Sequence, residues 1–272
     1  MEAIEANGAR IPLIGLGTWD LRGKACARIV ADALRLGYRH IDTAAMYRNE
    51  EEVGEGLRAS GVPRGDVFIT TKVWSSNLRA RDFEHSAHDS LKNLKLDSVD
   101  LLLIHWPNPS VPLKKTIGAL CKMKREGLAR HVGVSNFTVS LIEEAARHAS
   151  EPLVCNQIEC HPYIDQSKVI AASRKRGMAV TAYSPIARGR AQADAVLALI
   201  GKAHGKSAAQ VCLRFLVQQN IIVIPRTSDA QRLAENFALF DFELSAAQMN
   251  EVAALAHPRG RIVDWSGSPN WD

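Results

Sequence analysis

Four ionisable side chains, Asp42, Tyr47, Lys72 and His105, are of the types that move protons. A free tyrosine has a pKa near ~10 and donates poorly at neutral pH. An ammonium beside it stabilises tyrosinate and lowers that pKa, and a carboxylate beside the lysine keeps the ammonium charged and oriented. Asp, Lys and Tyr gathered together therefore make the tyrosine a general acid toward a carbonyl oxygen, with the histidine as a second polar partner. Each residue alone has a plainer reading. A lysine ending a buried strand snorkels, an aspartate caps a helix, a lone histidine is satisfied inside a core, and Tyr47 packs as wall. The chemistry exists only if the fold brings all four to one rim.

The elements that would do so are legible. Short apolar or β-branched runs recur at 38–43, 68–73, 99–105, 131–135, 154–159, 178–183 and 221–224, with an eighth candidate at 13–16. Between them lie stripes of helical period. Cys26, Ile29, Val30, Ala33 and Leu34 make one; Phe83, Ala87, Leu91 and Leu94 make another. Gly37, Gly127 and Gly177 stand where helices end. The run Leu101, Leu102, Leu103, Ile104 does not alternate, which suits a parallel strand covered on both faces. Even alternation along the 272 residues, with no linker, predicts one α/β domain over 1–272. A (β/α)8 TIM barrel is favoured over a doubly wound sheet. Asn7-Gly8 in the lead-in 1–10 predicts a β-hairpin plugging the barrel, and 244–256 reads as an extra C-terminal helix.

Composition excludes several classes. At 46% hydrophobic and 23% charged the chain has the profile of an ordinary folded protein. Its longest apolar run, 195–200, is far short of the ~20 residues of a membrane span. The acidic start carries no signal-peptide pattern. The five cysteines form no CxxC, so they read as reduced core thiols of a cytoplasmic protein. The net charge is +5, and in 183–235 seven basic residues face three acids. That excess is either a solvated face or a site for a phosphate-bearing ligand; no recognition motif accompanies it to favour nucleic acid.

Stock motifs fail. Gly15-Leu16-Gly17 lacks the third glycine of a dinucleotide fingerprint, since position 20 is Asp20. A near P-loop at 201–207 has Ile200 where its first glycine belongs. There is no HxH, HExxH or GxSxG, so no metal site and no esterase nucleophile is expected.

In a barrel, chemistry sits at the C-terminal strand ends. Those ends, with the loop after the first strand, carry six ordered motifs. They are Gly15-Leu16-Gly17-Thr18-Trp19, Gly37-Tyr38-Arg39-His40-Ile41-Asp42-Thr43-Ala44 and Thr70-Thr71-Lys72-Val73-Trp74. The others are His105-Trp106-Pro107, Gly133-Val134-Ser135-Asn136-Phe137 and Asn156-Gln157-Ile158-Glu159-Cys160-His161-Pro162. Together they resemble the aldo-keto reductase family, from about residue 4 to the C-terminus, and most of all its bacterial 2,5-diketo-D-gluconate and methylglyoxal reductases.

The resemblance implies a monomeric barrel that reduces aldehydes and ketones with NADPH. It implies Tyr47 as acid, Lys72 and Asp42 as the pair that tunes it, and His105 as the residue orienting the carbonyl. Ser135, Asn136 and Gln157 would meet the nicotinamide carboxamide, and Tyr183 would stack on its ring. Gly17, Thr18, Asp42, Ser184 and Pro185 would line the cofactor path. Arg226, Thr227, Ser228, Arg232, Glu235 and Asn236 match the element that grips the adenine and its 2′-phosphate. Trp19, Met46, Tyr47, Trp74, His105 and Trp106 would form the substrate wall. Two departures stand out. Arg226 replaces the family's usual lysine, though a guanidinium is still a good phosphate fork. The strap after Tyr183 is short, with Arg188 and Arg190 either standing in for it or serving as surface charge. A general aldehyde detoxifier, or a non-catalytic barrel that only binds NADPH, are the other readings.

Overall fold

The computed structural model describes residues 2–272, so Met1 of the predicted lead-in lies outside it. Two strands, β1 (Ala3–Ala6) and β2 (Ala9–Pro12), pair antiparallel about Asn7-Gly8. Both turn residues take positive φ, at 46° and 86°, which is what a two-residue hairpin turn requires. Asn7 Nδ2 donates to Leu153 O at 2.7 Å and to Arg176 O at 2.9 Å, fixing the hairpin across the barrel floor. Gly177 completes that contact: its φ is +71°, and a Cβ there would lie 2.3 Å from Asn7 Oδ1.

The barrel follows in order: β3 (Leu16–Gly17), α1 (Gly23–Leu36), β4 (His40–Asp42), α2 (Glu50–Ser60), β5 (Phe68–Val73) and α3 (Ala80–Leu94). Then come β6 (Val99–Ile104), α4 (Leu113–Arg125), β7 (Ala129–Ser135), α5 (Val139–His148), β8 (Leu153–Glu159) and α6 (Ser167–Lys175). The last part is β9 (Ala179–Tyr183), α7 (Ala195–His204), α8 (Ala208–Val217), β10 (Ile222–Val223), α9 (Ala230–Phe237) and α10 (Ala246–Ala253). The strands β3 to β10 pair in sequence order, all parallel. The first and last strands then meet. Ile14 bridges Val223, Gly15 N–H donates to Val223 O at 2.9 Å, and Gly17 N–H donates to Pro225 O at 3.1 Å. A Cβ on Gly17 would stand 2.7 Å from Ile224 O, so only glycine permits this closure.

Every residue of β6 and β8 is buried, as strands covered on both faces must be. The P-loop-like segment serves as the start of a helix. Ser207 caps α8 in a reciprocal box with Gln210. Most boundaries shift by one or two residues from the sequence reading, and two shift by more. The candidate strand 13–16 shrinks to Leu16–Gly17 plus the Ile14 bridge, because the seam joins by single contacts. The extra helix runs only over Ala246–Ala253, between Ser245, which caps it, and Pro258. No helix among the described residues is long and apolar enough to cross a membrane.

Candidate active site

Asp42, Lys72, His105, Ser135, Gln157 and Tyr183 all lie at the ends of β4 to β9 on one rim. Lys72 is wholly buried. Its Nζ donates to Asp42 Oδ1 at 2.5 Å, to Thr43 O at 2.8 Å and to Tyr47 Oη at 3.4 Å. The other carboxylate oxygen, Asp42 Oδ2, accepts from Gln157 Nε2 at 2.7 Å. Burial pulls the lysine pKa down, but Asp42 and Tyr47 outweigh it and hold the ammonium above its ordinary value.

Tyr47 corrects the sequence expectation of a lowered pKa. Burial pushes its phenol above the ordinary value of 10.0, and Lys72 only opposes that rise. The phenol is therefore protonated throughout neutral pH. The ammonium would stabilise a tyrosinate without producing one in the resting site.

His105 is the counterpart. Burial, with the Lys72 charge behind it, holds its pKa well below 6.5. Its Nδ1 is enclosed without a partner, which leaves Nε2 as the ring nitrogen open to a ligand. Tyr47 and Trp74 meet the imidazole edge-on, with centroids at 5.5 Å and 5.1 Å.

Residues the sequence reading passed over hold this group. Tyr47 ends a short turn, Ala45–Tyr47, and Arg48 follows in the left-handed region at φ 53°. The Arg22 guanidinium donates to Tyr47 O. Asn49 is completely buried and clamps two loops: Nδ2 donates to Thr18 O at 2.8 Å and Leu21 O at 3.1 Å, while Oδ1 accepts from Thr43 Oγ1 at 2.9 Å. On sequence, an asparagine before Glu50-Glu51-Glu52 looks like a helix cap, which hides this role.

Next to the tyrosine lies the set expected to meet a nicotinamide. Ser135 Oγ donates to Gln157 O at 2.8 Å, and Asn136 Nδ2 donates to His105 O at 2.9 Å. Tyr183 Oη donates to Asn136 Oδ1 at 2.8 Å. Amide and hydroxyl groups thus surround one aromatic ring at the rim. Thr18 Oγ1 donates to Asp42 O at 3.0 Å, and Cys212 Sγ donates to Pro185 O at 3.0 Å beside Ser184, whose φ is 49°.

Past β10, Arg226 spends its guanidinium on Trp19 O and Asp20 O, at 3.3 Å and 3.1 Å. Thr227 Oγ1 accepts from Asp229 N–H at 3.1 Å, and Ser228 is exposed. Arg232 is exposed, and no ion pair occupies its guanidinium among the described residues. Asn236 is buried. The Glu235 carboxylate accepts from Ser207 Oγ and so ties α9 to α8. The two arginines after Tyr183 part company. Arg188 lies 5.3 Å over the Trp19 ring, reaching from the loop after β9 to the loop after β3. Arg190 stacks 4.1 Å over Tyr163 and donates to His257 Nε2 at 3.2 Å.

The aromatic wall is larger than the sequence indicated. Trp19, Met46 and Trp265 are among the large hydrophobic residues left exposed in the described chain. Trp265 stacks on Trp74 at 5.7 Å and meets Trp106 edge-on, and Trp271 meets Trp106 at 6.0 Å. Glu159 pins this tail, accepting from Ile262 N–H at 2.7 Å and Val263 N–H at 2.8 Å.

The family model for "Aldo/keto reductase family" matches residues 13–257. The chain belongs to the aldo/keto reductase family. Methylglyoxal reductase DkgB of Salmonella typhi is 40% identical over 266 residues, 96% of this chain and 99% of that one. The glyoxal reductase of Bacillus subtilis (strain 168) is 40% identical over 250 residues, covering 92% and 90%. A crystal structure bearing the provisional name 2,5-diketo-D-gluconic acid reductase B superposes with a TM-score of 0.98 at 50% identity, covering 100% and 98%. A Bombyx mori aldo-keto reductase in complex with NADP superposes at 0.90 with 33% identity, covering 99% of each. As an aldo/keto reductase this chain is an oxidoreductase of carbonyl and alcohol groups, and its family works with nicotinamide cofactors.

Proposed function

We propose that this enzyme reduces small aldehydes and ketones with NADPH, with Tyr47 giving the proton. The observation that carries the reading is the buried chain from Asp42 through Lys72 to Tyr47, beside a neutral His105. The amide set around Tyr183 suits a planar ring bearing a carboxamide, so the residues present fit a nicotinamide. Ser135, Asn136, Gln157 and Tyr183 would hold its ring, with Gly17, Thr18, Ser184 and Pro185 along its path. Arg226, Thr227, Ser228, Arg232 and Asn236 would hold the adenosine end. When bound, the reduced cofactor supplies a hydride to the carbonyl carbon. The rest is this chain's work. His105 Nε2–H donates to the carbonyl oxygen and orients it. Tyr47 Oη–H gives its proton to the same oxygen as charge develops there. The tyrosinate left behind is stabilised by Lys72, which Asp42 keeps charged, and is reprotonated from solvent. Methylglyoxal, glyoxal and diketo-gluconate, named for relatives, are the first substrates to try. The same reading makes the protein a cytoplasmic monomer.

Loss of reduced-nicotinamide absorbance with that panel tests the activity, and cofactor selectivity tests the site. Arg232 is the guanidinium left unpaired, so it is the fork for a 2′-phosphate. NADPH should bind at least about tenfold tighter than NADH, about 1.4 kcal/mol. Arg232→Ala should remove most of that margin. Equal dissociation constants for the two cofactors in the unmutated protein would sink the assignment.

A further inference from the structure

Asn49 stands just before α2, and its carbonyl opens that helix by accepting from Val53 N–H at 3.0 Å. An asparagine in this place ordinarily turns its side chain onto the first free N–H groups of the helix. Here the side chain caps no N–H of α2. The whole amide is spent elsewhere: Nδ2 donates to Thr18 O and Leu21 O, and Oδ1 accepts from Thr43 Oγ1. An amide has two donor hydrogens, so both are used, and on one loop.

That loop is a turn. Leu21 N–H donates to Thr18 O at 3.1 Å, with Trp19 and Asp20 at the tip and Asp20 at φ 59°. Asn49 therefore holds a carbonyl at each end of the turn that carries Trp19. The Trp19 ring is 48% exposed, so its backbone does more than packing to place it. Tyr47 is placed in the same way. Its hydroxyl has one long protein hydrogen bond, 3.4 Å from Lys72 Nζ, while its N–H donates to Ala44 O at 2.9 Å. It stands two positions before Asn49. Thr43, whose hydroxyl Asn49 accepts, gives its carbonyl to Lys72 Nζ at 2.8 Å. One buried side chain thus ties the Trp19 turn to the segment of the proton donor and its lysine.

We propose that Asn49 is a positioning residue that sets the span between Trp19 and Tyr47, and through it the preference for aromatic over small aldehydes. This rests on the reductase reading above. The test compares 4-nitrobenzaldehyde, large enough to meet Trp19, with methylglyoxal, by kcat/KM at saturating NADPH. Asn49→Ser keeps a good first residue for α2 and releases the clamp. The aromatic-to-small ratio should fall about tenfold or more, the scale of a lost apolar pocket contact. In a Trp19→Ala background the same substitution should leave the ratio where Trp19→Ala alone puts it, since the two act through one contact. A purely structural asparagine lowers the melting temperature without moving the ratio. A ratio unmoved by Asn49→Ser, or moved equally with and without Trp19, overturns the proposal and leaves the reductase reading standing. Reduction of neither aldehyde by the unmutated protein overturns both. If Asn49→Ser does not fold, Trp19→Ala, at a half-exposed position, still decides. It should lower the ratio by itself, and an unmoved ratio contradicts the proposal, because Asn49 then has no contact to set.

Discussion

Tyr47→Phe is expected to lower kcat for aldehyde reduction by about 10²–10⁴, the usual range for a general acid. The substitution keeps the ring, and with it the edge contact to His105 at 5.5 Å and the Lys72 ammonium 5.0 Å from the centroid. It removes only a hydroxyl whose one protein hydrogen bond is long, 3.4 Å from Lys72 Nζ. Folding stability and NADPH affinity should therefore stay near their unmutated values. The rival donor is His105 as imidazolium. Under that rival, His105→Gln abolishes turnover while Tyr47→Phe leaves it nearly intact. The structure disfavours it, because burial and the Lys72 charge keep the imidazole neutral at working pH. Steady-state kinetics decide: a Tyr47→Phe enzyme retaining more than about a tenth of kcat is outside the general-acid range.

Lys72→Met should match that kinetic loss, about 10²–10⁴ in kcat, but with a second effect that Tyr47→Phe lacks. The tyrosinate formed in the reaction loses its cation, so the already weak acid becomes weaker. Asp42, 1% exposed, meanwhile keeps Gln157 as its only side-chain donor. Breaking a buried pair by removing one partner costs about 3–5 kcal/mol, so the melting temperature should drop. The double variant Asp42→Asn, Lys72→Met removes the stranded charge, and should recover stability without recovering kcat. Recovery of both together would mean that Lys72 serves the fold alone.

Asp42, Tyr47, Lys72 and His105 were legible because a barrel gathers strand ends, and each sits at or just past one. The hairpin was legible because Asn-Gly specifies a turn locally. What escaped depends on contacts across the chain. Trp265 and Trp271 join the wall only because Glu159, about a hundred positions earlier, accepts from the tail's backbone. Nothing local in 261–271 announces that. Asn49 resembles an ordinary cap until the loops after β3 and β4 close around it. The direction of the Tyr47 pKa was misjudged because the sequence shows the ammonium and hides the desolvation, and desolvation is the larger effect.

The most direct test of the central claim, that Tyr47 and not His105 gives the proton, is the pH dependence of hydride transfer. It is measured in single turnovers with bound NADPH and 4-nitrobenzaldehyde, which does not titrate. Tyr47 is held above 10.0 and His105 well below 6.5, so neither changes protonation between those limits. The rate should be level from about pH 7 to pH 9, since the acid is fully protonated throughout. A rate falling about tenfold per pH unit across that range, as an imidazolium donor with a depressed pKa requires, would contradict it.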